Sequence, residues 1–184
     1  MKAIVIHPYD RTTLSLCKLY DQMDDVYLIK EHIPNSLMRH VLNGLHKNVP
    51  LYLLGHGSEK GLFWRKDDTQ PLFDGTIIDH RHRFYLQKWN TIIAIFCYAE
   101  LWMKSVGLHG LCTSMVISSL EECQEYNVVS SAEEIEEELG KMFDILRGLI
   151  AAHTPLHDIP QLMSKLNPGN SQLNDFNYNS FRYV

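Results

Sequence analysis

Hydrophobic positions in this chain come in short blocks whose period changes from one block to the next. Ala3 to His7 is a compact apolar run, the length and composition of a buried strand. The next stretch, "DRTTLSLCKLYDQMDD", spaces Leu14, Leu16, Cys17, Leu19, Tyr20 and Met23 at helical intervals, with Asp10 or Thr12 as N-cap. Val26 to Ile29 returns to a strand pattern. Pro34, followed by Asn35 and Ser36, opens a second helix whose Leu37, Val41, Leu42 and Leu45 share a face as far as Lys47, and Leu51 to Leu54 is a third strand.

From Ser58 to Lys88 the pattern loosens. "GLFW" and "TIID" flank the turn-rich "RKDDTQPLFDG", which predicts a β-hairpin excursion, and "HRFYLQKW" predicts a short helix. Thr91 to Phe96 is strand four, followed by the helix "AELWMKSVG" stopped at Gly107, and Ser114 to Ser118 is strand five. The strongest helix is "SSAEEIEEELGKMFDILRGLIAAH", capped by Ser130 or Ser131 with Glu133 and Glu134 in its first turn. Its run from Glu133 to Glu138 reads as the solvated face above Ile135, Leu139, Met142, Ile145 and Leu146. Ile159 to Leu166 is a further helix, and "FNYNSFRYV" a last strand-like piece. Strands alternating with helical crossovers predict an α/β fold, a mostly parallel sheet between two helical layers.

Composition narrows this picture. At 184 residues and 45% hydrophobic content, with no repeat or linker, residues 1–184 form one domain around one core. A net charge of −5 gives no basic field, which argues against a nucleic-acid surface or binding to an anionic membrane. No apolar run approaches the roughly 18 residues that cross a bilayer, and "MKAIVIHPYD" lacks a leader cleavage site, so a soluble, cytoplasmic chain is expected. Cys17, Cys97, Cys112 and Cys123 lack C-x-x-C spacing and read as free thiols rather than zinc ligands. In "DHRHR", His80 and His82 would share one face of a strand, but the sequence places no third ligand. A solvated loop is the expectation there, and no metal or other cofactor is expected. Ser58 lacks the G-x-S-x-G elbow, and no phosphate-binding G-x-x-x-x-G-K-[ST] loop occurs.

Two strand ends carry chemistry. "LYLLGHG" ends strand three on Gly55-His56-Gly57, and "IIAIFCYA" ends strand four on Cys97, 41 residues later. In a parallel α/β sheet every strand delivers its C-terminal end to one edge, where ligands bind. If strands three and four are neighbours, His56 and Cys97 meet there as base and nucleophile. The Gly57 amide, free of a side chain, and the Cys97 amide at a helix entry would then be oxyanion donors. Cys17, Cys112 and Cys123 are read as inert, and His7 as a strand-end loop histidine.

With these two motifs in this order, the sequence resembles the caspase-like clan of cysteine peptidases, close in style to its bacterial CHAT and metacaspase-like domains. The resemblance covers about Lys2 to Ser119 and implies a caspase-like α/β/α sandwich and a cysteine endopeptidase with a His56/Cys97 dyad, acting on peptide or protein substrates. Phe96 precedes the cysteine and Tyr98-Ala99 follows it, where members usually have a small or acidic residue before and often a glycine soon after. The resemblance also implies that the loops after strands one and five line the substrate pocket, here 7–11 and Ser119-Leu120-Glu121-Glu122. Ser119 would line the pocket; Asp10, Glu121 or Glu122 there would favour a basic residue before the scissile bond, and Arg11 an acidic one; three acids against one base favour the basic substrate. The alternative is a catalytically inactive module that binds a partner or small ligand at the same sheet edge.

Overall fold

The computed structural model describes residues 2–8, 10–70 and 72–184. In chain order its elements are β1 (Ala3–Ile6), a 3-10 helix (Arg11–Leu19), β2 (Val26–Ile29), α1 (Asn35–Gly44), β3 (Leu51–Leu54), β4 (Gly57–Ser58), β5 (Gly61–Trp64) and β6 (Gly75–Asp79). A 3-10 turn (His80–His82), α2 (Arg83–Leu86), β7 (Ile92–Ile95), α3 (Ala99–Val106), β8 (Leu111–Thr113) and α4 (Leu120–Glu125) follow. The chain ends with α5 (Ala132–Ala151), α6 (Ile159–Leu166), α7 (Gln172–Tyr178) and β9 (Phe181–Tyr183). The main sheet has the order β2-β1-β3-β7-β8-β9, parallel throughout except for the antiparallel β8/β9 pair. A second, antiparallel sheet, β4-β5-β6, is the predicted hairpin excursion with one short strand added.

Strand periodicity divides the core in two. Ala3, Val5, Tyr52, Leu54, Ile93, Ile95 and Leu111 pack on one face with α5, α6, α7 and the first 3-10 helix, through Leu16, Leu139, Phe143, Met163 and Leu173. Their neighbours Ile4, Ile6, Leu51, Leu53, Ile92, Ala94 and Cys112 pack on the other face with α1, α2 and α3, through Met38, Leu42, Leu86, Trp102 and Met103. Helices therefore cover both faces of the sheet. All four residues of β3 and of β7 are buried, and each such aliphatic side chain contributes roughly 1.5–3 kcal/mol. The two strands that carry the candidate chemistry are thus fully buried central strands, as is their neighbour β1.

Several elements differ from the sequence reading. The first helix is 3-10: Asp10 Oδ1 accepts from the Thr12 amide at 3.0 Å and the Thr13 hydroxyl donates to the Asp10 carbonyl at 3.2 Å, local bonds that favour a tighter turn. Strand five is 111–113 rather than 114–118. Past Thr113 the Ser114 amide turns to the Ser180 carbonyl, and Asn177 bonds both the N–H and the C=O of Ile117, standing in for a neighbouring strand. The segment after Ser119 is not a loop but α4, capped by the Ser119 hydroxyl, which buries Cys123 in a helix. Ser171 likewise caps α7, so only 181–183 of the last strand-like piece pairs with β8. Glu138 is not solvated: it is buried, accepting from Lys141 Nζ and Asn174 Nδ2, each at 2.7 Å. Among the described residues, no helix is long and apolar enough to cross a membrane.

Candidate active site

The register of the central pair decides where the two strand-end residues go. Leu54 lies opposite Ile95, and the Gly55 amide extends the ladder to the Ile95 carbonyl at 3.2 Å. The two chains thus leave the sheet side by side, about one strand spacing, ~4.8 Å, apart. Counting in twos from Leu54 and Ile95 reaches His56 and Cys97, so both continue the face packed by α5. Both line one cavity, with Thr12, Thr13, Ser15 and Ser118 as polar walls and Leu16, Val116, Leu139 and Phe143 as an apolar floor. Its volume is about 20 Å³, room for a water-sized group and not for a peptide.

Cys97 occupies a turn fixed from four directions. The Thr113 hydroxyl donates to the Phe96 carbonyl at 2.9 Å, the Ala99 amide donates to the same carbonyl at 3.2 Å, and the Tyr98 amide bonds the Ser114 carbonyl. The Tyr98 and Tyr126 hydroxyls bond at 2.6 Å. These contacts hold Tyr98 at φ +61°, a left-handed conformation that costs a non-glycine residue roughly 1–2 kcal/mol. The position after the cysteine thus has the backbone geometry that suits glycine, imposed here on a tyrosine. The Cys97 thiol donates weakly to the Val116 carbonyl at 3.7 Å. Burial, with the negative charge of Glu122 adding to it, pushes this thiol up to about 12. At rest it is a thiol, not a thiolate.

His56 is engaged from the opposite side. Its Nε2 lies 2.6 Å from Thr12 Oγ1 and 3.5 Å from Asp10 Oδ1, and its ring packs against Phe73 with centroids 5.1 Å apart. Asp10 is the buried hub of this cluster. Its Oδ1 accepts from the Thr12 hydroxyl at 2.7 Å, and Oδ2 takes Arg65 Nε and an Arg65 terminal nitrogen at 2.5 Å each. Burial works to raise its carboxyl, but the neighbouring His56 ring and the bonds from Thr12 outweigh it and hold Asp10 well below the usual range. The glycine at 57 has a packing reason: a Cβ there would stand 2.3 Å from Phe96 Cδ2 and 2.6 Å from the Gly61 carbonyl oxygen.

Next to the cavity, sharing Thr12, Ser15, Ser118 and Leu139 with it, runs a groove of about 380 Å³. It contains three of the residues that the sequence reading assigned to substrate, Arg11, Ser119 and Glu121, and adds Glu136 of α5. Arg11 is already paired with Asp68 at 3.1 Å, whereas Glu121 and Glu136 face no basic partner among the described residues. Asp10 lies apart, turned to His56 and Arg65 rather than into the groove. Glu122 also turns away: its Oε2 accepts from the Ser118 amide at 2.6 Å and the Ser118 hydroxyl at 3.0 Å, bracing the wall shared by cavity and groove. Thr12 was read only as a possible N-cap and Arg65 had no signal in the sequence, since the contacts to His56 and Asp10 that bring them to the site lie far along the chain.

The remaining candidates have structural surroundings. His7 is buried between Tyr20 OH at 2.9 Å and Thr13 Oγ1 at 3.2 Å, and burial, followed by the charge of Lys30, lowers it to about 4. His80 and His82 sit on a 3-10 turn, not a strand: His80 is exposed, while His82 is wholly buried and its Nδ1 accepts from the Asp79 amide. That turn is not the solvated loop expected, because Asp79 and His82 form a reciprocal cap. Among the described residues no group of three metal-ligating side chains converges, and all four cysteines are free. No protein-family model and no curated protein matches this sequence.

Proposed function

We propose that this protein is a caspase-like cysteine endopeptidase with a preference for Arg or Lys before the scissile bond. One observation carries the reading: His56 and Cys97, delivered in lateral register by adjacent parallel strands, line a single cavity beside a groove with two carboxylates that face no basic partner among the described residues. Cys97 attacks the substrate carbonyl while His56 takes the thiol proton and returns it to the leaving amine. Water then hydrolyses the thioester, with His56 again as base. The Gly57 and Cys97 amides serve as oxyanion donors, contributing about 3 kcal/mol each to the transition state. Beside them, Glu121 and Glu136 attract a cationic side chain, and Arg11, neutralised by Asp68, does not oppose it.

A second reading rests on the resting geometry. A thiol raised to about 12, bonded to Val116 and facing about 20 Å³ of space, also suits a catalytically inactive module that binds a partner or small ligand at this edge. Turnover of Arg-, Lys- and Asp-terminated fluorogenic peptides separates the two. The peptidase hydrolyses the Arg and Lys substrates and loses this in Cys97→Ala; hydrolysis that survives Cys97→Ala, or that prefers Asp, refutes the assignment.

A further inference from the structure

Proton inventory in the cluster behind His56 has one self-consistent solution. Asp10 is a buried carboxylate, an acceptor only, and Arg65 is a donor only. The Thr12 hydroxyl has a single proton. It lies 2.7 Å from the Asp10 carboxylate and 2.6 Å from His56 Nε2, so one of these contacts receives its proton and the other faces its lone pair. A bond to an ionised carboxylate is roughly twice as strong as one to a neutral ring nitrogen, so the proton points to Asp10. The distance from His56 Nε2 to Asp10 Oδ1, 3.5 Å, leads to the same assignment, because an imidazole lone pair there would face carboxylate lone pairs.

The geometry points to Thr12 and Asp10 as positioning residues that fix His56 in its Nε2–H tautomer. His56 Nε2–H donates to Thr12 Oγ1, Thr12 O–H donates to Asp10 Oδ1, and Arg65 clamps Asp10 Oδ2 from the hairpin side. The basic lone pair is then on Nδ1, which has no hydrogen-bond partner among the described residues, and the ring lines the same cavity as Cys97. When Nδ1 takes the thiol proton, the imidazolium faces a carboxylate already in place, and no group has to reorganise. Arg65 serves a different end: without it, a buried Asp10 would have fewer donors and would draw the Thr12 turn out of position. Two segments distant in sequence, the one after β1 and the one after β5, thus meet behind one ring, and the Arg11–Asp68 pair ties them a second time. The consequence of this chain for catalysis rests on the peptidase reading above; the tautomer itself does not.

Two measurements keep them apart. In uniformly ¹⁵N-labelled Cys97→Ala protein, long-range ¹H–¹⁵N correlation spectra report which His56 nitrogen carries the proton, whether or not the enzyme is active. Nε2–H is expected in Cys97→Ala and a mixture of tautomers once Thr12→Val and Asp10→Ala are added together and both acceptors are gone; Nδ1–H in the first, or an unchanged Nε2–H in the second, overturns the inference. In the wild-type background, labelling of Cys97 by an Arg-terminated peptidyl ketone should fall on the order of 100-fold in Thr12→Val, because the ring loses the hydroxyl that holds it in place. It should recover in Thr12→Ser, which keeps the hydroxyl, with thermal unfolding confirming that both variants fold. Equal loss in Ser and Val overturns the positioning role. Nε2–H lost when Thr12 and Asp10 are both replaced, together with a Cys97 that no peptidyl ketone labels even in the wild type, supports the tautomer assignment and removes the peptidase reading alone.

Discussion

The resting thiol should be nearly inert to a small neutral electrophile. Burial and Glu122 raise Cys97 from an ordinary 9.0 to about 12, which at neutral pH leaves about a thousandfold less thiolate, equivalent to about 4 kcal/mol. A more basic thiolate is a better nucleophile, and with a sensitivity of about 0.4–0.5 this recovers roughly 20-fold. The net expectation is that iodoacetamide alkylates Cys97 about 50-fold more slowly in the folded protein than in concentrated urea, scored by mass spectrometry of the Cys97 peptide. Glu122→Gln supplies the internal control. The amide oxygen still accepts from Ser118, but the charge is gone, so the thiol falls toward its ordinary value and alkylation accelerates. Native Cys97 reacting as fast as the urea-unfolded chain, or Glu122→Gln reacting more slowly than the parent, would refute the reasoning.

Three further outcomes follow from single contacts. His7 takes up its proton at about 4 when folded and at 6.5 when unfolded, so its contribution is complete above pH 6.5 and about 3 kcal/mol is lost as pH falls toward 4. Urea unfolding across that range should show a flatter slope in His7→Gln, and an identical slope contradicts the assignment. Gly57→Ala forces a methyl against Phe96 and the Gly61 carbonyl and should cost about 1–3 kcal/mol in urea unfolding, whereas an unchanged midpoint would show that the site has room. Glu121→Lys and Glu136→Lys should each lower kcat/KM for Arg substrates about fivefold, as expected for an exposed ion pair, and raise it for Asp substrates. Parallel loss for both substrate types would place the groove outside substrate recognition.

The sequence reading succeeded where the signal is local and periodic. β3 and β7 are continuous apolar runs ending on glycine-histidine and on cysteine, and once they pair, period-two counting alone puts His56 and Cys97 on one face. It fell short where a long-range partner decides. Asp10 appeared as an N-cap and as a pocket acid; the cap is present, but Arg65, 55 residues away, and the His56–Thr12 contact, 44 residues apart, turn its carboxylate to the histidine. The end of strand five was misplaced because Asn177, 60 residues on, mimics a strand beside Ile117. Glu136 was hidden in an acidic run whose members look equivalent until α5 is docked: one buries against Asn174, another lines the groove.

Intact-mass analysis after incubation with an Arg-terminated peptidyl ketone tests the central pairing most directly. A single adduct is expected, mapped to Cys97, absent in Cys97→Ala and strongly slowed in His56→Ala. An adduct distributed over Cys17, Cys97, Cys112 and Cys123, or one on Cys97 that forms equally fast without the His56 ring, would contradict it.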